Sequence, residues 1–390
     1  MGSEIVARVE KWIALVLTVS RSIQNITRQQ PQKDGIFLSV VAVELLTQNF
    51  PSIICGGTMA IFKVMTWNVE NLFLPNTEFG PKTEAEYQDK LQSLANTILA
   101  VNPDVLGLQE IGDLEALNDL NSLLQGRYPH SYISSSPDRR GIRVGFLSKL
   151  EIEEQDEIDD FPEGGLRKVI GYVTEADVPK NITQMGRGAV RILVKPRPSL
   201  AIHIINAHLK SKLLSFPSAT GGTRFKPRDE NERAQEAGLA LLRRTAEAVA
   251  LRVKANELLE NNEDRGLIIL GDLNDTPSAA STQILQGPSG SEIGTNGFDR
   301  ADAGDDARLF NLASLIPEAR RYSRMYQGNK ELIDHIFVSE ELLPGSPRKL
   351  PTVDSYLEAN ESLPSIGNNP AERRGKPGSD HLPIVAVFDV

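Results

Sequence analysis

Cysteine is almost absent: Cys55 stands alone in 390 residues. One thiol can form neither an intramolecular disulfide nor a thiolate zinc cluster. Long apolar runs are missing too. A membrane helix takes about 20 consecutive apolar residues. The nearest approach, Trp12-Ile13-Ala14-Leu15-Val16-Leu17-Thr18-Val19, is short and flanked by basic residues. No small-residue cleavage site follows it, so a cytoplasmic location is favoured over a secreted or periplasmic one. There is no excess of positive charge: the formal charge is −10 and the pI about 5.2. That argues against a protein coated in nucleic acid but does not exclude a nuclease, which needs only a local basic patch. Short-period repeats and low-complexity tracts are absent.

What is present is ordinary for a globular chain, with 40% apolar and 24% charged residues. Residues 1–58 carry none of the polar clusters described below. Gly56-Gly57 then precede Met59, and a first core strand follows at once. The functional chain is expected to begin there, with 1–58 a dispensable or spurious extension and 59–390 one large domain. From Ala60 apolar β-prone runs alternate with helical patterns. Tyr87, Leu91, Leu94, Ile98 and Leu99 mark an amphipathic helix over 84–101, stopped by Asn102-Pro103. Further helices are expected over 114–126 and 230–260. Strands are expected at 61–67, 105–108, 142–147, 190–194, 200–206, 267–270, 332–338 and 382–388. The pair 190–194 and 200–206 reads as a hairpin turning on Lys195-Pro196-Arg197-Pro198. Residues 151–185 read as strands plus a mobile loop, 213–229 as a loop, and 276–330 as loop with one helical stretch. The order helix, strand, acid occurs twice, at 84–110 and at 230–272. Two similar halves, each a sheet with helices outside and a site at the sheet rims, would satisfy the pattern.

Five polar clusters close apolar runs: Trp67-Asn68-Val69-Glu70-Asn71, Leu108-Gln109-Glu110, Asn206-Ala207-His208, Gly271-Asp272-Leu273-Asn274-Asp275 and Ser379-Asp380-His381. A strand that ends in Asp, Glu, Asn or His brings a hard-cation ligand or a proton carrier to one rim of a sheet. Several converging make a metal-assisted hydrolytic site. Glu110 reads as a magnesium ligand, or else as a helix N-cap or surface ion pair. Asn68 could ligate metal, hold Glu110, or satisfy its own turn. Asp272 and Asn274 would point the same way if the backbone stays extended, the acid orienting or deprotonating water and the amide meeting charge on phosphorus. The other reading there is an Asx turn before Thr276-Pro277.

Two of only five histidines, His208 and His381, sit at cluster positions, where imidazole suits phosphate chemistry near neutral pH. Asp334 could hold the His381 ring and raise its pKa. His335 should alternate away from the site, and His130 and His203 look structural. Basic residues crowd nearby: Arg139, Arg140 and Arg143; Lys210 and Lys212; Arg224, Lys226 and Arg228; Arg320, Arg321 and Arg324, with Tyr322 and Tyr326 among the last group. They fit phosphate-tracking and base-stacking loops, or a solvated surface. The Gly-Asp-x-x-Asp of dinuclear metallophosphatases also matches at Gly271, but Lys330 follows Gly328-Asn329 where that family needs histidine.

The set Trp67-Asn68, Gln109-Glu110, His208, Gly271-Asp272-Leu273-Asn274, Ile333-Asp334 and Ser379-Asp380-His381 resembles, in residues and in order, the endonuclease/exonuclease/phosphatase superfamily over about residues 60–390. The resemblance implies a four-layer α/β sandwich, two mostly antiparallel sheets face to face with helices outside. It implies a magnesium-dependent phosphoesterase, with manganese or calcium as substitutes. Metal ligands would be Asn68, Glu110 and Asp380. Asp272 would position the attacking water, Asn274 and His208 would bind the scissile phosphate, and Asp334 with His381 would be the acid–histidine pair. Arg140, Arg143, Lys210 and Tyr326 lie in stretches similar to bacterial secreted nucleases and would bind substrate. The tryptophans of the inositide-phosphatase branch are missing, and His208 stands where abasic-site endonucleases carry tyrosine, which favours a deoxyribonuclease-like branch. The expectation is a monomeric nuclease acting on DNA or RNA by in-line water attack, with no stable protein partner. The rivals are a phosphomonoesterase or lipid phosphodiesterase of the same fold, and a relative that only binds phosphate.

Overall fold

In the computed structural model the chain is described over residues 61–390, except 164–168, 173–178, 218–222, 261–264, 288, 291, 299–307, 344–349, 359–361 and 368. The leader at 1–58, its apolar stretch and parts of the expected 151–185 loop lie outside the described residues. The elements run β1 (Ile61–Leu72), α1 (Glu84–Val101), β2 (Val105–Ile111), α2 (Leu114–Ser122), β3 (His130–Ile133), β4 (Arg143–Ser148), β5 (Glu154–Asp160), β6 (Val169–Tyr172), β7 (Pro179–Ile182), β8 (Gln184–Arg197), β9 (Leu200–His208), β10 (Phe216–Pro217) and β11 (Thr223–Arg224). They continue with α3 (Glu230–Leu259), β12 (Arg265–Asp272), α4 (Ala280–Gln286), β13 (Leu309–Asn311), β14 (Arg324–Tyr326), β15 (Asn329–Glu331), β16 (Asp334–Ser339), β17 (Thr352–Ser355), β18 (Ser365–Ile366) and β19 (Ile384–Asp389).

Each half is organised by one crossover. A parallel strand pair needs a long connection, and a helix supplies it. In the first half α1 joins β1 to its parallel partner β2; in the second α3 joins β9 to β12. The sheet orders are β17-β19-β1-β2-β4-β3 and β13-β16-β12-β9-β8-β5. The halves correspond: each parallel pair is flanked by antiparallel strands, β19 and β4 in one and β8 and β16 in the other. The repeated order of helix, strand and acid was the trace of this correspondence.

The helices form where capping and periodicity agree. Thr83 and Glu86 make a reciprocal capping box at the start of α1, and Asn102 ends it in the left-handed region. Tyr87, Leu91, Leu94 and Ile98 are buried against the outer face of the first sheet. Each such buried side chain contributes about 2 kcal/mol. The alanines and Leu251 of α3 cover the second sheet in the same way. A third cluster lies between the sheets: Val64, Val105 and Phe146 from one meet Ile192, Ile204, Ile268 and Ile336 from the other. The layers are therefore helix, sheet, sheet, helix, as expected.

Several boundaries move. The hairpin of β8 and β9 is longer than expected and turns on Pro198-Ser199, with Arg197 paired to Leu200. A strand pair keeps its ladder past Pro196 because a register shift between Val194 and Arg197 absorbs the missing N–H. The expected loop at 213–229 contains the small ribbon β10–β11. The final strand begins at Ile384, because the preceding residues pair elsewhere: Leu382 N donates to Ser323 O at 2.7 Å. No helix among the described residues is long and apolar enough to cross a membrane.

Candidate active site

The space between the sheets grades from apolar to polar toward one rim. Alternation puts residues two apart on the same face. Ile204, Asn206 and His208 of β9 thus face the other sheet, as do Ile268, Leu270 and Asp272 of β12 and Ile336 and Asp334 of β16. An amide layer caps the apolar one. Gln109 Nε2 donates across the sandwich to Asn206 Oδ1 at 2.7 Å and to Thr66 Oγ1 at 3.1 Å. Asn206 Nδ2 returns bonds to Leu108 O at 2.9 Å and Gly145 O at 2.7 Å. The two sheets are pinned together there. Gly107 makes room, since a Cβ would stand 2.3 Å from Leu270 Cδ1.

Beyond the amides stands an ionisable row. His208, Asp272 and Asp334 are direct register partners across β9, β12 and β16. All three are buried. Asp272 Oδ2 accepts from Asn68 Nδ2 at 2.9 Å and lies 3.2 Å from His208 Nε2; Oδ1 accepts from Asn274 N at 2.9 Å. His381 Nδ1 lies 2.7 Å from Asp334 Oδ2, and its Nε2 is 4.0 Å from Asp272 Oδ2. Gly271 permits this row: a Cβ there would sit 1.9 Å from Ala207 O.

Electrostatics follow the contacts. Burial disfavours an ionised Asp272, but His208, His381 and the Asn68 amide outweigh it and hold the carboxyl far below the carboxylate range. Burial alone would push His381 down; the charge and hydrogen bond of Asp334, with Asp380 and Asp272, push it up to about 10. Burial raises Asp334.

The first sheet contributes through two breaks in its ladder. β1 and β2 both lose register past Asn68 and Gln109, and Glu70, Asn71 and Glu110 take φ of 51°, 52° and 64°. Left-handed φ in residues other than glycine costs about 1 kcal/mol or more each. Here it re-aims Glu110, which strict alternation would turn away from Gln109's face. The two breaks meet: Asn71 N donates to Glu110 Oε2 at 2.9 Å. Glu110 is not a helix cap; Asp113 caps α2. Burial raises its pKa, but Arg140, His208, Arg187 and His381 prevail and lower it.

Asp380 and Glu110 lie on either side of β1. Both act electrostatically on the buried ammonium of Lys90 and on the His381 ring. Among the described residues only one Glu110 oxygen has a hydrogen-bond partner, and the Asp380 carboxylate has none. Two carboxylates with spare oxygens beside an amide oxygen are a hard donor set and fit a divalent cation. A second grouping, Asp272, Asp334 and His381, has donor atoms within 4.8 Å of one another. Asp272 there is paired through Asn68 and His208, and Asp334 Oδ2 with His381 Nδ1, while Asp334 Oδ1 is buried without a hydrogen-bond partner among the described residues; an acid bonded directly to an imidazole suits proton-holding.

The structure thus brings together Asn68, Glu110, His208, Asp272, Asp334, Asp380 and His381. Asn274 joins them differently from the extended reading. At φ 54° it closes the Asx turn, and its Nδ2 donates to Leu209 O at 3.0 Å. Arg140 stays near Glu110, and Lys210 follows His208. Tyr326 lies on β14, whose Arg324 bridges to His381. Arg143 is spent on Gly112 O and Gly141 O, tying two loops. Of the other basic residues, Arg228 and Arg224 close on Glu232, Arg320 on Asp354 and Lys212 on Asp275. His335 bonds Asp275 O through Nε2 at 2.9 Å, and burial lowers it to about 4.

Four contributors carried little sequence signal. Lys90 lies on the buried face of α1 and donates to Gly378 O at 2.7 Å, bracing the loop before Asp380. A lysine on an apolar face was its signal. Arg373 Nε bonds both oxygens of Glu70 at 2.8 and 2.9 Å, and burial, then Asp380, raises Glu70 to about 7. Ser379 Oγ donates to Asn68 O at 2.6 Å and accepts from His381 N. Arg187 Nη1 donates to Leu209 O at 3.1 Å.

Comparison with known proteins decides the family. The model of the Endonuclease/Exonuclease/phosphatase family matches residues 65–381. The chain belongs to that family. Its members hydrolyse phosphoester bonds and typically use a divalent metal. Truncated TDP2 of Caenorhabditis elegans is similar at 18% identity and TM-score 0.50, over 85% of this chain and 98% of that one. The human Nocturnin catalytic domain with bound sulfate is similar at 15% identity and TM-score 0.47, over 84% of this chain and 94% of that one. At such identities the likeness concerns the fold. No curated protein matches the sequence.

Proposed function

We propose that the chain is a magnesium-dependent phosphodiesterase that cleaves DNA or RNA by in-line attack of water, with manganese or calcium as alternative ions. The observation that carries this reading is the single row His208–Asp272–Asp334 facing Glu110 and Asp380 across the sandwich rim. Glu110 and Asp380, with the Asn68 amide oxygen, would hold the ion, which when bound neutralises charge on the phosphate and leaving oxygens.

The chain's own groups do the rest. A carboxylate has about four lone-pair directions. Asn68, His208 and Asn274 occupy three on Asp272, which leaves one for a water. A carboxyl held so strongly ionised is a weak base, so Asp272 serves mainly to aim that water. His381, kept protonated by Asp334, donates to the charge that builds on phosphorus. His208 is fixed by Asp272 and presents its Nδ1, which has no partner among the described residues. Asn274 holds the turn that positions Asp272.

The reading is tested with supercoiled plasmid, single-stranded RNA and small phosphate monoesters, each with magnesium and with chelator. Cleavage of a nucleic acid that chelator abolishes, with monoesters untouched, is expected. Faster phosphate release from monoesters, or indifference to chelator, would refute it.

A further inference from the structure

Outside the reacting centre, one group of cationic side chains leaves a guanidinium without a hydrogen-bond or ion-pair partner among the described residues. Arg187 is buried. Its Nε and the Arg140 side chain share a single acid, Asp138, at 3.1 and 3.8 Å. Lys210 is half-buried and stands two residues after His208. Glu247 of α3 spends its oxygens on backbone, accepting from Gly186 N at 3.0 Å and Lys210 N at 2.6 Å. Arg243 reaches over Gly186, where a Cβ would stand 2.9 Å from its Nη2. Its neighbour Arg244 is consumed by Asp275 at 3.0 Å and Lys210 O at 3.0 Å. Arg243 makes no hydrogen bond and no ion pair among the described residues, and its Nε is buried.

Arg140 and Arg187 therefore share Asp138, Glu247 is committed to backbone N–H groups, Lys210 Nζ donates to Ser211 O at 3.0 Å and Leu213 O at 3.2 Å, and Arg243 is left without an acceptor among the described residues. The field is felt within the group: burial, then Arg187 and Arg243, lower Lys210 to about 8. Arg243 is only partly buried, but a buried N–H such as its Nε is costly to leave without an acceptor. Planar guanidinium forks fit phosphate oxygens best. The scissile phosphate already has His208 and His381. Arg187 places the cluster next to it, because its Nη1 donates at 3.1 Å to the carbonyl of Leu209, the residue after His208, which also accepts from Asn274 Nδ2 at 3.0 Å.

We infer that Arg243, with Arg140, Arg187 and Lys210, forms a site for a second phosphate group of the substrate, adjacent to the scissile one. This rests on the phosphodiesterase reading above. A chain with such a site favours substrates carrying neighbouring phosphates over isolated diesters, as a polynucleotide strand does.

The test compares a short oligonucleotide with bis(p-nitrophenyl) phosphate, which has one phosphate. In Arg243→Ala the ratio of kcat/KM values, oligonucleotide over simple diester, is expected to fall about tenfold through KM, with Arg243→Lys recovering part. An unchanged ratio would overturn the site. A parallel titration separates this from failure of the chemistry. A fluorescein-labelled oligonucleotide is bound in chelator and followed by anisotropy against salt. Arg243→Ala should weaken binding and reduce the salt slope by about one, whether or not either substrate is turned over. Equal affinity and slope in wild type and variant would overturn it.

Discussion

Asp272→Asn is expected to fold normally and to lose about 10³-fold in kcat/KM on any phosphodiester the enzyme cleaves. The substitution keeps the shape, so Gly271, Ala207 and the Asn274 turn are undisturbed. It removes the charge that His208 and His381 face and replaces one acceptor oxygen with a donor. An N–H set against the Asn68 Nδ2 or His208 Nε2 partner cannot aim a water as the carboxylate does. Circular dichroism and a thermal melt check folding, and steady-state rates check the loss. Activity within a few-fold of wild type would remove Asp272 from the chemistry.

Asp334→Asn should change the pH profile as well as the rate. In the wild type His381 is raised to about 10, so the imidazolium persists throughout the neutral and mildly alkaline range. Without the Asp334 charge its main support is gone, and burial favours the neutral ring. The variant's His381 then deprotonates near or below neutrality, and a neutral ring no longer stabilises the charge on phosphorus. At about pH 8 a loss near 10²-fold is expected, the size of one lost transition-state donor. The loss should shrink as pH falls toward 6, while the wild type stays flat. Parallel profiles for the two proteins would show that Asp334 acts only as packing.

The layered fold was legible because the periodicities were clean. Helix α1 carries its apolar stripe and its stop at Asn102-Pro103. Strands β2 and β12 are short apolar runs closed by a polar cluster. The site was legible where a residue ends such a run on the inward face: Asp272 follows Leu270 by two, and His208 follows Ile204 by four. Glu110 was ambiguous for a physical reason. Its direction depends on a left-handed turn that the pairing of β1 with β2 imposes, and one residue of slip would send it to the other face. Asn274 was ambiguous for the opposite reason: an Asx turn and an extended strand share the same residues, and the bond to Leu209 O decides between them. Lys90 and Arg373 were hidden because their partners are far along the chain. Lys90 answers to Gly378, and Arg373 answers to Glu70. Arg187 and Arg243 lie in no cluster the sequence singles out; the sharing of Asp138 and the lack of a partner for Arg243 among the described residues set them apart.

The central claim is that the two sheets complete one hydrolytic site, and coupling between them measures it most directly. Glu110→Gln alters the first sheet's carboxylate and Asp272→Asn the second's. Rates on bis(p-nitrophenyl) phosphate would be taken for both single variants and the double. If the groups act on one phosphate, the double variant should be about as slow as the slower single one, because residues that work as a unit are far from additive. Losses that simply multiply would mean that Glu110 and Asp272 act independently, and the single-site account would be wrong.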